Sequence, residues 1–89
     1  MPGLGVRQFH MKMIQLSMEA LQTVPSDKRD ISAVTIATSA EGRESIRKEI
    51  ENFRRYLLFV ASQYPEKEEV LEINFQMFDL TREPKGNAS

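Results

Sequence analysis

Few side chains in this sequence are of the types that carry out chemistry in proteins. The 89 residues include one histidine, His10, and no cysteine, which excludes disulfides, thiolate metal sites and cysteine nucleophiles. A metal site would have to combine His10 with carboxylates that the sequence places on other elements. Because a catalytic histidine also needs positioned partners, we expect His10 to have a structural or surface role.

Hydroxyl groups and glycines give no stronger indication of catalysis. Ser32, Thr35 and Ser39 have no candidate base near them in the sequence, which argues against serine-type nucleophilic chemistry. The run Gly3-Leu4-Gly5 lacks the preceding strand that a phosphate-binding loop requires. We therefore expect neither an enzyme nor a bound cofactor.

Charged residues form two clusters that suggest ion or nucleic-acid binding. The acidic cluster at residues 66–69 is interrupted by Lys67 and does not have the spacing of a calcium loop. The basic residues between Arg43 and Arg55 alternate with glutamates, and the chain has a net charge of −1. Since nucleic-acid affinity depends on an excess of positive charge, we expect no direct nucleic-acid binding by this chain.

The first element that must position these residues is a long helix from Val6 to about Thr23, where apolar residues fall on two adjoining stripes. One stripe contains Val6, Phe9, Met13, Leu16 and Ala20, and the other, which we name the outer stripe, contains Met11, Ile14, Met18 and Leu21. Together they make a face wider than one partner helix needs, and an uncovered outer stripe would leave an apolar patch in water. The sequence therefore predicts a homodimer with the outer stripe as its main interface, and pairing between strand edges is the second-ranked alternative.

Two further segments have the alternation of strands, and a second helix lies between them. The first segment, residues 31–38, is β-branched, and the second segment, residues 70–80, alternates apolar and polar side chains. Between them, apolar residues recur at steps of three and four from Ile46 to Tyr64, after a capping-box pattern at Thr38-Ser39-Ala40-Glu41. The predicted order is helix, strand, helix, strand.

This order predicts an α/β or α+β fold. A strand, a helix and a strand form a right-handed crossover with parallel strands, so we expect a small two-layer sandwich with both long helices on one face of a parallel sheet. Glu72, Asn74 and Gln76 would then lie on the outer face, where they could bind a small molecule. Residues 1–5 are predicted to be a flexible leader, residues 6–81 one domain, and residues 82–89 a disordered tail.

The expected compartment is the cytoplasm. No stretch approaches the roughly 20 apolar residues of a membrane span, and the N-terminus lacks the order of a signal peptide. The lack of cysteine fits a reducing environment. We therefore expect no membrane association.

Four segments together carry a resemblance to a known family. They are His10-Met11-Lys12-Met13-Ile14, Arg29-Asp30-Ile31-Ser32-Ala33-Val34-Thr35-Ile36, Ile50-Glu51-Asn52-Phe53-Arg54-Arg55 and Ile73-Asn74-Phe75-Gln76-Met77-Phe78-Asp79-Leu80-Thr81. In this order they resemble the C-terminal part of the Fibrobacter-type major paralogous domain family, bacterial proteins often described as transcriptional regulators. The likeness covers roughly residues 6 to 81.

The resemblance implies a regulatory or dimerisation role without catalytic residues. Members of that family have an N-terminal half that looks like a winged-helix DNA reader, and nothing in this chain corresponds to it. DNA would then be bound through such a half and not through the present residues. The alternative is a small-molecule sensor that uses the polar face of Glu72, Asn74 and Gln76.

Overall fold

The computed structural model describes residues 2–81, in which two long helices are the main elements. Helix α1 spans Pro2–Thr23 and helix α2 spans Ala40–Ser62, with one turn of 3-10 helix at Ser26–Lys28 between them. Both predicted helices are therefore present. The remaining described residues lie in connections that form neither helix nor strand.

Helix α1 begins at Pro2, four residues before the predicted start at Val6. Residues 3–5, which were predicted to be part of a flexible leader, belong to its first turns. Proline is well suited to the first turn of a helix, because the N–H that it lacks would have no partner there. The helix ends ahead of Pro25, where the Val24 N–H donates to the carbonyl of Ala20 at 3.0 Å.

Helix α2 begins one residue later than the capping-box pattern predicts. Its N-cap is Ser39, whose hydroxyl oxygen accepts a hydrogen bond from the Gly42 N–H at 3.0 Å. This bond satisfies one of the N–H groups that the first turn leaves unpaired. At the other end, the Tyr64 N–H donates to the Ala61 carbonyl at 3.1 Å, directly before Pro65, which cannot continue the helix.

The predicted sheet is absent from residues 2–81, so the prediction of an α/β or α+β sandwich is wrong and the described chain is all-α. Within the described residues, neither residues 30–38 nor residues 65–78 make a backbone–backbone hydrogen bond. Alternation of side chains determines which residues share a face, but a strand also needs a neighbour along its edge. Neither segment has that neighbour in the single chain.

The described part of the chain has no closed hydrophobic core. No described side chain is buried, and the whole chain exposes 8770 Å² of surface, against about 5,400 Å² for a compact protein of this mass. The radius of gyration is 16.1 Å, whereas a compact domain of this length has about 12 Å. The two helices and their connections therefore form an open arrangement.

Two predictions concern other parts of the molecule. The tail predicted at residues 82–89 lies outside the described residues. Among residues 2–81, neither helix is both long enough and apolar enough to cross a membrane.

Candidate association site

The side chains that could take part in catalysis or metal binding are not brought together in the described structure. The His10 ring lies edge-on to Phe9, with ring centroids 5.5 Å apart. Across residues 2–81, no three His, Asp or Glu side chains are grouped so that they could hold a metal ion. His10 is exposed and lies beside an aromatic ring, with no carboxylate cluster around it.

Two basic residues of α2 have a polar neighbour on their own helix. Arg47 Nε lies 3.5 Å from a carboxylate oxygen of Glu44, and a guanidinium nitrogen of Arg55 donates to the Asn52 side-chain oxygen at 3.3 Å. Both contacts are exposed and lie within one helical turn. The contact with Glu44 is an ion pair, and exposed ion pairs of this kind are weak.

The three polar side chains predicted to share an open sheet face have different surroundings. The Asn74 amide nitrogen donates to the Met13 carbonyl at 3.0 Å and lies 2.8 Å from the Ser17 hydroxyl oxygen. Glu72 and Gln76 are exposed. Because its amide nitrogen is bonded to α1, Asn74 contributes to the attachment of the second segment.

Ser17 is a residue that sequence reasoning missed. Its hydroxyl donates to the Met13 carbonyl at 3.1 Å and lies 2.8 Å from the Asn74 amide nitrogen. The hydroxyl, the carbonyl and the amide therefore form one hydrogen-bonded group. Ser17 lies one turn after Met13 and, like Met13 and Ala20, is on the less exposed side of the helix. A lone hydroxyl on an apolar helical stripe was the signal that could have identified it.

The next residues of the second segment contact the other helix. The Phe75 ring meets the Phe53 ring edge-on, with centroids 6.1 Å apart and planes 82° apart. Phe75 and Met77 line a shallow depression together with four residues of α2, Arg47, Ile50, Glu51 and Arg54. The second segment thus connects the two helices, with Asn74 on α1 and Phe75 on α2.

The apolar stripe predicted on α2 is only partly covered. The less exposed apolar residues of α2 are Ile46, Ile50, Leu57 and Val60. Phe53, at the centre of the same stripe, remains 51% exposed although it contacts Phe75. The predicted stripe therefore lies on the less exposed side of α2, but it is not covered by a core.

The outer stripe of α1 is exposed along its whole length. Met11 is 62% exposed and Met18 is 60% exposed, and Ile14 and Leu21 are also open to solvent. At 100° per residue, the stripe is centred about 100° around α1 from Met13 and Ser17, which face the second segment. That is the side on which another helix would lie next to α1 in the same layer.

A shallow depression marks the middle of the outer stripe. Met11, Ile14 and Met18 line it on one side, and the polar residues Gln8, Lys12 and Gln15 line it on the other.

Comparisons with known proteins identify the family of the chain. No curated protein and no solved structure is significantly similar to it. Residues 2–80 match the sequence profile of a family described as a domain of unknown function, DUF4423, and the protein therefore belongs to that family.

Proposed function

We propose that this domain is a non-catalytic association domain that forms a homodimer through the outer stripe of α1. The observation that carries the proposal is the combination of an exposed outer stripe with a chain in which no described side chain is buried. An apolar patch of this kind on a soluble chain favours association, because burial of apolar surface is the main driving force of protein assembly.

The overall charge of the chain does not oppose a dimer. The net charge of −1 adds little repulsion between two copies.

A twofold arrangement fits the position of the outer stripe. In a twofold dimer the same surface of both copies meets, so one apolar stripe covers its counterpart. The stripe lies beside the face of α1 that Asn74 contacts, and a second α1 would therefore pack alongside without displacing the second segment. Methionine suits such a contact, because its flexible side chain fills irregular gaps.

The biological role that we propose is regulatory. The resemblance to the C-terminal part of Fibrobacter-type paralogous proteins supports a dimerisation domain of a bacterial transcriptional regulator that acts in the cytoplasm. In that role the domain would bring two DNA-binding halves together and would not itself contact DNA. The acidic residues that alternate with the basic residues of α2 support the proposal that this domain does not itself contact DNA.

A small-molecule sensor is the alternative function, and its support is weaker. It depends on Glu72, Asn74 and Gln76 as one polar surface. The Asn74 amide nitrogen already bonds to α1, which leaves two exposed side chains for a ligand. We therefore prefer the association domain.

Light scattering after gel filtration tests the proposed dimer. The monomer mass is 10.3 kDa, and we expect twice that value, with dissociation only on dilution. Ile14→Glu should weaken the dimer at least about 10-fold, because it places a charge in the apolar centre of each stripe.

Leu58→Glu is the matched control for Ile14→Glu. Leu58 is an exposed apolar residue of the other helix, and the substitution adds the same charge. It should leave the dimer intact. A mass near 10.3 kDa at every concentration would contradict the proposed function, and equal dissociation by both variants would place the contact elsewhere.

A further inference from the structure

The second segment has side chains held on both sides and free backbone groups between them. Asn74 bonds to α1, while Phe75 contacts Phe53 of α2. Within the described residues, residues 65–78 make no backbone–backbone hydrogen bond. A row of unpaired N–H and C=O groups in a β-forming sequence is a template for another strand.

The hydropathy of residues 70–78 is symmetric about Asn74. The order is Val70-Leu71-Glu72-Ile73-Asn74-Phe75-Gln76-Met77-Phe78, in which polar residues stand at the centre and two positions away on each side. Two identical strands that pair antiparallel about Asn74 would place Ile73 opposite Phe75 and Glu72 opposite Gln76. Aromatic and β-branched pairs are favourable across strands, and this register opposes no like charges within the nine residues.

We infer that residues 70–78 of two copies pair as antiparallel strands about a twofold axis at Asn74. The inference rests on the proposed function, because it specifies how the two copies of the dimer meet. Two strands related by a twofold axis perpendicular to their sheet run antiparallel, so the symmetry of the dimer and the symmetry of the segment agree.

The pairing would cover apolar side chains that a single chain leaves in water. Val70 is fully exposed and would lie opposite Phe78 of the second copy, which is also exposed. Leu71 would lie opposite Met77. Beyond these pairs Glu69 would face Asp79, and two acidic residues in opposition are unfavourable. The pairing therefore ends after nine residues.

The helices would cover both faces of the new sheet. In a paired strand, side chains at even positions would lie on the side of Asn74 and α1, and those at odd positions would lie on the side of Phe75 and α2. Each copy supplies one α1 and one α2, so two helices lie on each face. A two-stranded sheet is marginal in water by itself and becomes stable when helices pack on it.

The first segment is a poorer candidate for this contact. Residues 31–38 have neither the mirror symmetry of residues 70–78 nor a hydrogen bond or ring contact to another described residue that would hold them in place. A second copy is the partner best matched to residues 70–78, because their own sequence supplies the complementary order of side chains.

Disulfide cross-linking tests both the contact and its register. The chain has no cysteine, so introduced thiols are the only ones present. In the proposed register residues 72 and 76 of opposite copies have Cα atoms about 4.5–5.5 Å apart, which is within the range of a disulfide. Glu72→Cys combined with Gln76→Cys should convert the chain to a covalent dimer under mild oxidation.

Each single variant is the matched control for the double variant. Residue 72 of one copy lies four positions along the strands, about 13 Å, from residue 72 of the other, which is too far for a disulfide. The same spacing prevents a link between 72 and 76 within one extended chain. Glu72→Cys alone and Gln76→Cys alone should therefore remain free of covalent dimer.

The outcomes separate this inference from the proposed function. A dimer by light scattering without a cross-link in the double variant would overturn the strand pairing and leave the association domain standing. Cross-linking of Glu72→Cys alone would overturn the register about Asn74. A monomer at every concentration would overturn the pairing and the proposed function together.

Discussion

The first and second segments were both predicted to be strands, yet they differ in their contacts with the two helices. The second segment connects the two helices through Asn74 and Phe75. Within residues 2–81, no hydrogen bond or ring contact joins the first segment to another element, and the nearest bonds are the local ones of Arg29 to the Val24 carbonyl and of the Gly42 N–H to Ser39. Two segments with similar alternation of side chains therefore differ in their hydrogen bonds and ring contacts to the helices.

The difference shows what strand-like alternation does and does not determine. In the second segment it sends neighbouring side chains to opposite sides, where one helix accepts a polar group and the other an aromatic ring. In the first segment small residues such as Ala33 and Ala37 alternate with larger ones and offer less to pack. We conclude that specific contacts, a polar one at Asn74 and an aromatic one at Phe75, and not alternation, hold a segment against the helices of a single chain.

The largest expected effect of a substitution in either segment is that of Phe75→Ala. Phe75 is 36% exposed, so most of its ring is covered, and its contact with Phe53 adds an aromatic interaction. Loss of this burial should lower the free energy of unfolding by about 2 kcal/mol. Urea titration at fixed protein concentration measures the change.

Val34→Ala is the corresponding control in the first segment. Val34 is 79% exposed, and its truncation should change the free energy of unfolding by less than about 0.5 kcal/mol. Equal losses from Phe75→Ala and Val34→Ala would show that the two segments are equally attached and would remove the basis of the comparison.

A smaller effect is expected for Asn74→Ala, which removes the polar attachment of the second segment. The substitution deletes the hydrogen bonds to Met13 and Ser17 and should cost about 1–2 kcal/mol. Gln76→Ala, two residues further on, should cost less than about 0.5 kcal/mol because Gln76 is exposed.

A double-mutant cycle with Ser17→Ala can assign that loss. If the Asn74 contact acts through Ser17, the two single losses should add to more than the loss of the double variant. Strict additivity would mean that Asn74 stabilises the protein through the Met13 carbonyl alone.

The helices show how far the sequence could predict this structure. The regular spacing from Ile46 to Tyr64 and the stop at Pro65 predict the course of α2, because helical periodicity and backbone breakers act locally. The start of α1 was predicted too late. Pro2, Gly3 and Gly5 were interpreted as residues that prevent a helix, but proline is favourable in a first turn and the two glycines lie within α1.

The sheet and the position of Asn74 could not be predicted in the same way. A strand is defined by a partner along its edge, and the sequence of one strand does not state whether that partner lies in the same chain. Asn74 was predicted to lie on a solvent-exposed outer face, because polar residues usually lie there. In the structure, two oxygen atoms of α1 accept hydrogen bonds from its amide nitrogen. Such a contact depends on residues about 60 positions apart, which periodicity does not relate.

The smallest of these effects concerns Ser39, the N-cap of α2, which directly follows the first segment. Its hydroxyl oxygen accepts from the Gly42 N–H at 3.0 Å, and Ser39→Ala leaves that N–H to solvent. We expect a loss of about 1 kcal/mol, as for other N-cap substitutions. Ser45→Ala, at an exposed position inside α2, is the control and should be neutral or slightly stabilising, since alanine has the higher helix propensity. If Ser39→Ala instead matches Ser45→Ala, the hydrogen bond from the Gly42 N–H does not stabilise the start of α2.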